Sequence, residues 1–436
     1  MSIYKGNTMK KIIPVFSVIL FLTAGCGIST AVLQTPTTSF VYPPCPNYAP
    51  SGMPDIDQKQ EGWIDPVYNS WSFCGPTALA NILWYLDSVY SNSGVPGDGQ
   101  DNFPLVYDFQ PPNTPNPGPK TDDHNYNNIN DLVTPWDQPG NIFGNELVEK
   151  LAWEADTNGC RTKLAKFGTS ARDLYKACTK WMKNNGLDAF FKVELQQSSL
   201  GGEQDVSKTP AVRTGKLLSV GLEFEQFAAQ IEAGSSAAIL IFIYDHQGQE
   251  IYGHWITVAG INKTGHQIII SDPYYDRENP TNDPLLHNNV AIVSHDPYHI
   301  NTTNPFSADG PWWIEEFEPD CYTIVSAAVV ITPQSKTIIT KPATGHLSFL
   351  NKTCFPTLLK NTIVFGGIDL EIATDFRYNI TRIELYINQE STAILMDPPY
   401  RWTWDTISFG RKTITIQVYN AENLLDEQTM TVWKFF

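Results

Sequence analysis

The sequence predicts a mixed α+β domain followed by an all-β sandwich, and three observations carry that reading. Between residues 51 and 335, helical periodicity alternates with long apolar strand runs. Beyond a short polar segment near residues 333–337, only short alternating strands remain. At 436 residues the chain is also too long for one ordinary core.

Ahead of the first domain lies an export signal. From Met9 the chain reads MKKIIPVFSVILFLTAGC: two lysines, an apolar run Ile12–Leu22, then small residues ending at Cys26. The run is short for a membrane-spanning helix and has the form of a secretory signal over residues 1–26. Thr23-Ala24-Gly25-Cys26 also resembles a lipoprotein cleavage box, which would make Cys26 a lipid attachment site and the membrane a partner through that anchor. Plain signal-peptidase cleavage is the alternative. Both place the mature chain outside the cytoplasm, extracellular or at the cell surface. Residues 27–50 are rich in Thr and Pro without periodicity and read as a linker.

The first domain opens on Ser70–Leu86, SWSFCGPTALANILWYL. Ala78, Leu79, Ile82, Leu83, Leu86 and Tyr90 mark one helix face, so a helix starts just after Cys74, with Pro76 in its first turn. Residues 91–142 are dense in Asn, Asp, Pro and Gly and read as an irregular insertion. Two amphipathic helices follow, Glu146–Asp156 and Ala171–Asn184; in the second, Leu174, Ala177, Cys178 and Trp181 recur at helical spacing. A short helix, Phe224–Ala233, leads into the apolar run Ala237–Tyr244, a buried central strand. GHWITVAGI and HQIIISD then form a hairpin about a turn at Lys263-Thr264. Residues 273–320 are irregular, and Tyr322–Ile331 closes the domain. From 340 to 436 the strands are short, with Ile414, Ile416 and Val418 alternating with polar residues. That texture predicts an immunoglobulin-like sandwich, a module suited to binding a surface partner.

Charge narrows the partners. Acidic residues outnumber basic ones 46 to 29, a net charge of −17, which disfavours nucleic acid as a partner because phosphate binding needs basic patches. No Cys-x-x-Cys or Cys/His spacing of a zinc module occurs, and no cofactor or metal is expected. His295 and His299 are separated by Pro297, which speaks against a metal-binding helix there. Asp/Asn-rich loops such as TDDHNYNNIND match no EF-hand and read as solvated loops. Cys160 with Cys178 is the one disulfide the spacing suggests.

Cys74 has a sharper reading than a small core residue. A thiol at a helix N-terminus faces unsatisfied N–H groups and the positive end of the dipole, which favour a thiolate and could hold an oxyanion. It still needs a base. A two-residue turn would bring His254, at the start of the first hairpin strand, within one residue of Asp272, at the end of the second. Strict pairing would put them on opposite faces, so a bulge or strand end must reconcile them. The imidazole needs such an acceptor to orient it and to stabilise its cation.

Cys-Gly-Pro-Thr-Ala opening an apolar helix, then Gly-His-Trp-Ile-Thr-Val-Ala-Gly-Ile, then Ile-Ser-Asp-Pro-Tyr, in that order, resembles the papain-fold cysteine peptidases related to the bacteriocin-processing, double-glycine-cleaving family. The resemblance covers roughly residues 51–335. It implies a papain-like cysteine peptidase domain acting on a peptide or protein substrate. Cys74 would be the nucleophile, His254 the general base and acid, and Asp272 the orienting residue. Two departures stand out. The family's oxyanion glutamine lies about six residues before the cysteine, where this chain has Tyr68; Gln58, Gln60 and Asn69 are the candidates to replace it. There is no transporter module, so double-glycine specificity does not carry over. The same thiol chemistry serves a cell-wall amidase or a transglutaminase-like acyl transferase, and a non-catalytic surface binding protein is the third alternative.

Overall fold

The computed structural model describes residues 40–45, 48–49, 52–58, 63–65, 69–91, 103–106, 147–164, 166–198, 219–274, 295–303, 305–306 and 312–436. The export signal, Cys26, Gln60 and most of the 91–142 insertion lie outside them.

Four α-helices are described: α1 (Cys74–Tyr90), α2 (Leu147–Glu154), α3 (Ala171–Asn184) and α4 (Phe224–Glu232). The first eleven strands are β1 (Phe40–Val41), β2 (Ile64–Asp65), β3 (Ser70–Trp71), β4 (Phe191–Gln197), β5 (Ser219–Gly221), β6 (Ser236–Tyr244), β7 (Glu250–Asn262), β8 (Gln267–Ser271), β9 (Asp296–Asn301), β10 (Trp313–Ile314) and β11 (Tyr322–Pro333). Strands β6 to β11 pair in sequence order, and β11 returns to β6, closing a six-stranded antiparallel barrel. Closure leaves no free edge within the ring. Strands β4 and β5 extend the sheet from β11, while β1 adds to β7.

Helix α1 lies between this barrel and the other helices, touching β6 and β7 on one side and α2 and α3 on the other. All seventeen of its residues are buried, as expected of a helix apolar nearly all round. Its few polar side chains find partners: Trp84 donates to the Tyr48 carbonyl at 3.0 Å and Tyr85 to that of Pro43 at 3.0 Å. Helix α3 is the opposite case. One face carries Leu174, Ala177, Cys178 and Met182 into the core, and Ser170 caps its first turn by accepting from Asp173 N–H.

Two sequence expectations change here. The end of the Thr/Pro-rich segment is folded: Phe40 and Val41 pair with Ile261 and Gly260, and Tyr42 is fully buried. Only two residues form the strand, too few to leave a periodic trace. Cys160 and Cys178 are both free thiols, because Cys178 sits inside the α3 core face while Cys160 Sγ points to the Ala152 carbonyl.

Beyond Pro333 the chain is all β. Strands β12 (Thr337–Lys341), β16 (Ile368–Thr374) and β19 (Tyr400–Trp404) form one sheet. The other comprises β13 (His346–Phe349), β14 (Lys352–Pro356), β15 (Thr362–Phe365), β17 (Arg382–Ile387), β18 (Glu390–Leu395), β20 (Phe409–Asn420) and β21 (Asn423–Phe435). The two share a core in which Leu370, Tyr400 and Trp404 meet Leu385, Ile416 and Val432. The molecule is thus a mixed α+β, β-rich structure: a six-stranded barrel with helices, then a C-terminal β region. Among the described residues no helix is long and apolar enough to cross a membrane.

Candidate active site

Helix α1 begins at Cys74 itself. The residue before it, Phe73, occupies the cap position and offers no side-chain oxygen to the first-turn N–H groups. Pro76 has no N–H and that of Thr77 bonds to the Phe73 carbonyl, which leaves Cys74 and Gly75 as the first-turn donors beside the thiol; Cys74 keeps 9% of its surface exposed. The helix end can sit this close to the barrel because residue 75 is glycine. A Cβ there would lie 3.0 Å from Thr169 Cβ and 3.1 Å from Trp255 Cδ1. Trp255 is pinned in turn by its Nε1–H bond to the Thr169 carbonyl at 2.9 Å. On the other flank Asn158 Nδ2 donates to Ser72 Oγ at 2.7 Å, tying the 156–169 loop to the approach of Cys74.

The β7–β8 hairpin brings the base and its carboxylate together, by a route different in detail from the expected two-residue turn. Asn262 pairs with Gln267 across a four-residue loop, within which Gly265 N–H donates to Asn262 Oδ1 at 2.8 Å. The register then shifts at Ala259: Gly260 faces Ile269, whereas Val258 faces Ile270. Without that bulge, His254 and Asp272 would point to opposite faces. With it, the register carried one residue beyond the Thr257–Ser271 pair puts Asp272 opposite Ile256, on the His254 face.

The two side chains meet accordingly: His254 Nε2 lies 2.6 Å from Asp272 Oδ1, with both residues buried. Asp272 Oδ1 also accepts from Tyr274 N–H at 2.8 Å, so the Pro273 turn fixes the carboxylate. Cys74 is the other group that acts on the His254 ring, by charge and by hydrogen bonding. With Nε2 engaged by Asp272, Nδ1 is the nitrogen available to the thiol. Burial disfavours the charged ring, yet the charge and hydrogen bond of Asp272, together with Cys74, outweigh it and push the His254 pKa up to about 10. The ring therefore holds its proton through neutral pH, as an ion-pair mechanism requires.

Of the two oxyanion candidates among the described residues, Gln58 lies beside the Asp272 turn and Asn69 does not. The Gln58 N–H donates to the Pro273 carbonyl at 2.8 Å, next to Asp272, and its side chain is buried with Oε1 lacking a partner. Asn69 is exposed in a left-handed turn, its N–H held by the Asp65 carbonyl. The cleft wall beside the base is aromatic. The Tyr274 ring stands edge-on 6.4 Å from His254 and 6.2 Å from Trp71. Sequence reading passed over Tyr274, although it lies two residues beyond the orienting carboxylate. It also passed over Asn81, the one amide in α1, seven residues below the thiol.

Among the described residues no cluster of three or more His, Cys, Asp or Glu side chains could hold a metal ion. No protein-family model and no curated protein matches the sequence. Among solved structures, the fibronectin(III)-like modules of Clostridium thermocellum CbhA match at 13% identity over 17% of this chain and 92% of theirs, with a TM-score of 0.15. The extracellular domain of a proposed one-component system from B. thetaiotaomicron matches at 10% identity and a TM-score of 0.17. That match covers 45% of this chain and 29% of the other, so it spans less than a third of that structure. Scores this low mark local overlap only, and the site stands on its own geometry.

Proposed function

We propose that the chain is an exported cysteine peptidase of papain-like fold, hydrolysing peptide bonds through Cys74, His254 and Asp272 without a cofactor. The observation that supports this reading is the buried His254–Asp272 pair, 2.6 Å apart, with Cys74 at the head of α1 acting on the same imidazole. A thiol, a base oriented by a carboxylate and a helix N-terminus are the parts an acyl transfer needs.

The chemistry follows from the placement. Cys74 Sγ attacks the scissile carbonyl carbon, with its proton held on His254. The carbonyl oxygen becomes an oxyanion facing the first-turn N–H groups of α1, and Gln58 takes the role of side-chain donor. As the C–N bond breaks, His254 passes its proton to the leaving amine. A water then attacks the thioester, giving one proton to His254; the C–S bond breaks, a carboxylic acid leaves, and the thiolate and imidazolium are restored. In this reading Cys26 anchors the enzyme at the cell surface, and the C-terminal region is an immunoglobulin-like module that positions it against a surface partner.

The deciding experiment treats the full chain with a peptidyl electrophile, maps the adduct by mass spectrometry, and assays cleavage of a peptide library. The expected result is an adduct on Cys74, cleavage of a subset of peptides, and loss of both in Cys74→Ala with the fold intact. An adduct without peptide cleavage would move the reading to a cell-wall amidase or a transglutaminase-like acyl transferase. No adduct at all would make the domain a binding protein.

A further inference from the structure

We propose that Asn81 is a positioning residue that sets the spacing of Cys74, His254 and Asp272, an inference that rests on reading that site as a thiol hydrolase. Asn81 is completely buried, the one amide in a mostly apolar helix. Seven residues bring an α-helix back to within about 20° of the same direction, so Asn81 lies under Cys74, on the same face and about 10 Å further along the axis.

Each hydrogen bond of its amide goes to a different part of the site. Asn81 Oδ1 accepts from Ile56 N–H at 3.0 Å, two residues before Gln58. Asn81 Nδ2 donates to Thr257 Oγ1 at 3.1 Å and, at 3.4 Å, to Ser271 Oγ. Thr257 stands three residues after His254 on β7, and Ser271 immediately precedes Asp272 on β8. The two are direct cross-strand partners. One side chain therefore links the helix carrying the nucleophile to both strands carrying the base and its carboxylate.

The direction of these bonds selects the amide. Thr257 Oγ1 donates to the Ala78 carbonyl at 3.2 Å. Ser271 Oγ spends its proton on the Pro54 carbonyl or Asp55 Oδ1, both at 2.7 Å. Both hydroxyl oxygens are thus left as acceptors, while Ile56 N–H can only donate. Position 81 must present an acceptor to one side and donors to the other. A carboxylate fails on the donor side, and an aliphatic side chain fails on both. The connection runs across the core behind the triad and touches no reacting atom. It fixes the rotation and height of α1 against the hairpin, and with them the approach of Cys74 to His254.

The test compares full-chain Asn81→Asp, Thr257→Val and Thr257→Ser with the parent. The first keeps the shape and loses the donors, the second removes the acceptor on β7, and the third restores it. The readout is the rate of iodoacetamide alkylation at Cys74 against pH, followed by mass spectrometry, with circular dichroism recorded in parallel. The expected result is a folded Thr257→Val in which alkylation near neutral pH falls by about 10²-fold, the loss a displacement of about 1 Å produces. Its pH profile should approach that of His254→Ala, and Thr257→Ser should recover the parent profile. Asn81→Asp should behave like Thr257→Val wherever it folds. A folded Thr257→Val or Asn81→Asp with the parent pH profile would overturn the proposal. Failure of both to fold would also overturn it, since the network would then be structural only. The underlying reading fails separately: a parent Cys74 no more reactive than a free thiol, and indifferent to His254→Ala, rejects the hydrolase whatever Asn81 does.

Discussion

Burial is the strongest single influence on His254 and would drive its proton off; Asp272, 2.6 Å from Nε2, and Cys74 oppose it by charge and hydrogen bonding, those of Asp272 being the larger. In Asp272→Asn the pKa of the ring should fall from about 10 toward or below its ordinary value near 6.5. The alkaline limb of kcat/KM, set by loss of the imidazolium, should move down in pH with it. Stability follows the same linkage. A raised histidine pKa contributes stability that is fully present below the unfolded-state value near 6.5 and is lost as pH rises through about 10. The difference in urea-unfolding free energy between parent and Asp272→Asn should therefore be largest near pH 6 and shrink toward pH 10. A difference that grows with pH would contradict the ion pair.

The hairpin that delivers these residues depends on a single extra residue in β7. Gly260 follows the bulge at Ala259, and β1 pairs closely alongside it, Val41 opposite Gly260. A Cβ on Gly260 would lie 2.6 Å from the Phe40 carbonyl oxygen and 3.0 Å from Ile269 Cδ1. Gly260→Ala must push Phe40–Val41 away from β7, at a cost of about 1–3 kcal/mol. The expected outcome is a lower urea midpoint at unchanged m-value, with faster amide exchange at Tyr42, whose N–H bonds to the Ala259 carbonyl. This bulge also marks the limit of what sequence reading could reach. The helix at Cys74, the helix Ala171–Asn184 and the strand pair around His254 and Asp272 were legible, because apolar spacing and punctuation carry them. The register was not. From His254 to Asn262 every residue of β7 is buried, so no alternation between faces records where a residue has been inserted. Asn81 was hidden for a related reason: one polar residue leaves no period, and its partners Thr257 and Ser271 lie 176 and 190 residues away in the chain.

The change of texture near residue 335 predicts two domains, and the described residues of the barrel unit and of the C-terminal β region touch one another. Contact does not run through the sandwich tryptophans. Trp404 belongs to the sandwich core, Trp402 packs against it, and Trp433 is 39% exposed. The junction is instead at the C-terminal end of α1, the helix that starts at the nucleophile. Phe376 N–H donates to the Val89 carbonyl at 3.3 Å, and Tyr90 Oη donates to that of Ser335 at 3.3 Å. Ala373 of β16 is counted among the core residues of the barrel unit. Beside them Arg377 donates to both carboxylate oxygens of the buried Asp375. Arg377→Ala would leave the Asp375 carboxylate buried without that partner, a loss of about 3–5 kcal/mol. In the full chain, calorimetry should record a single unfolding transition that drops markedly in this variant. A chain ending at residue 335 should melt below the parent for the same reason, since Val89, Tyr90 and the surface under Ala373 lose their cover. Two transitions in the parent, with the barrel transition indifferent to both changes, would mean that the contacts at Val89 and Tyr90 contribute little and that the barrel unit folds by itself.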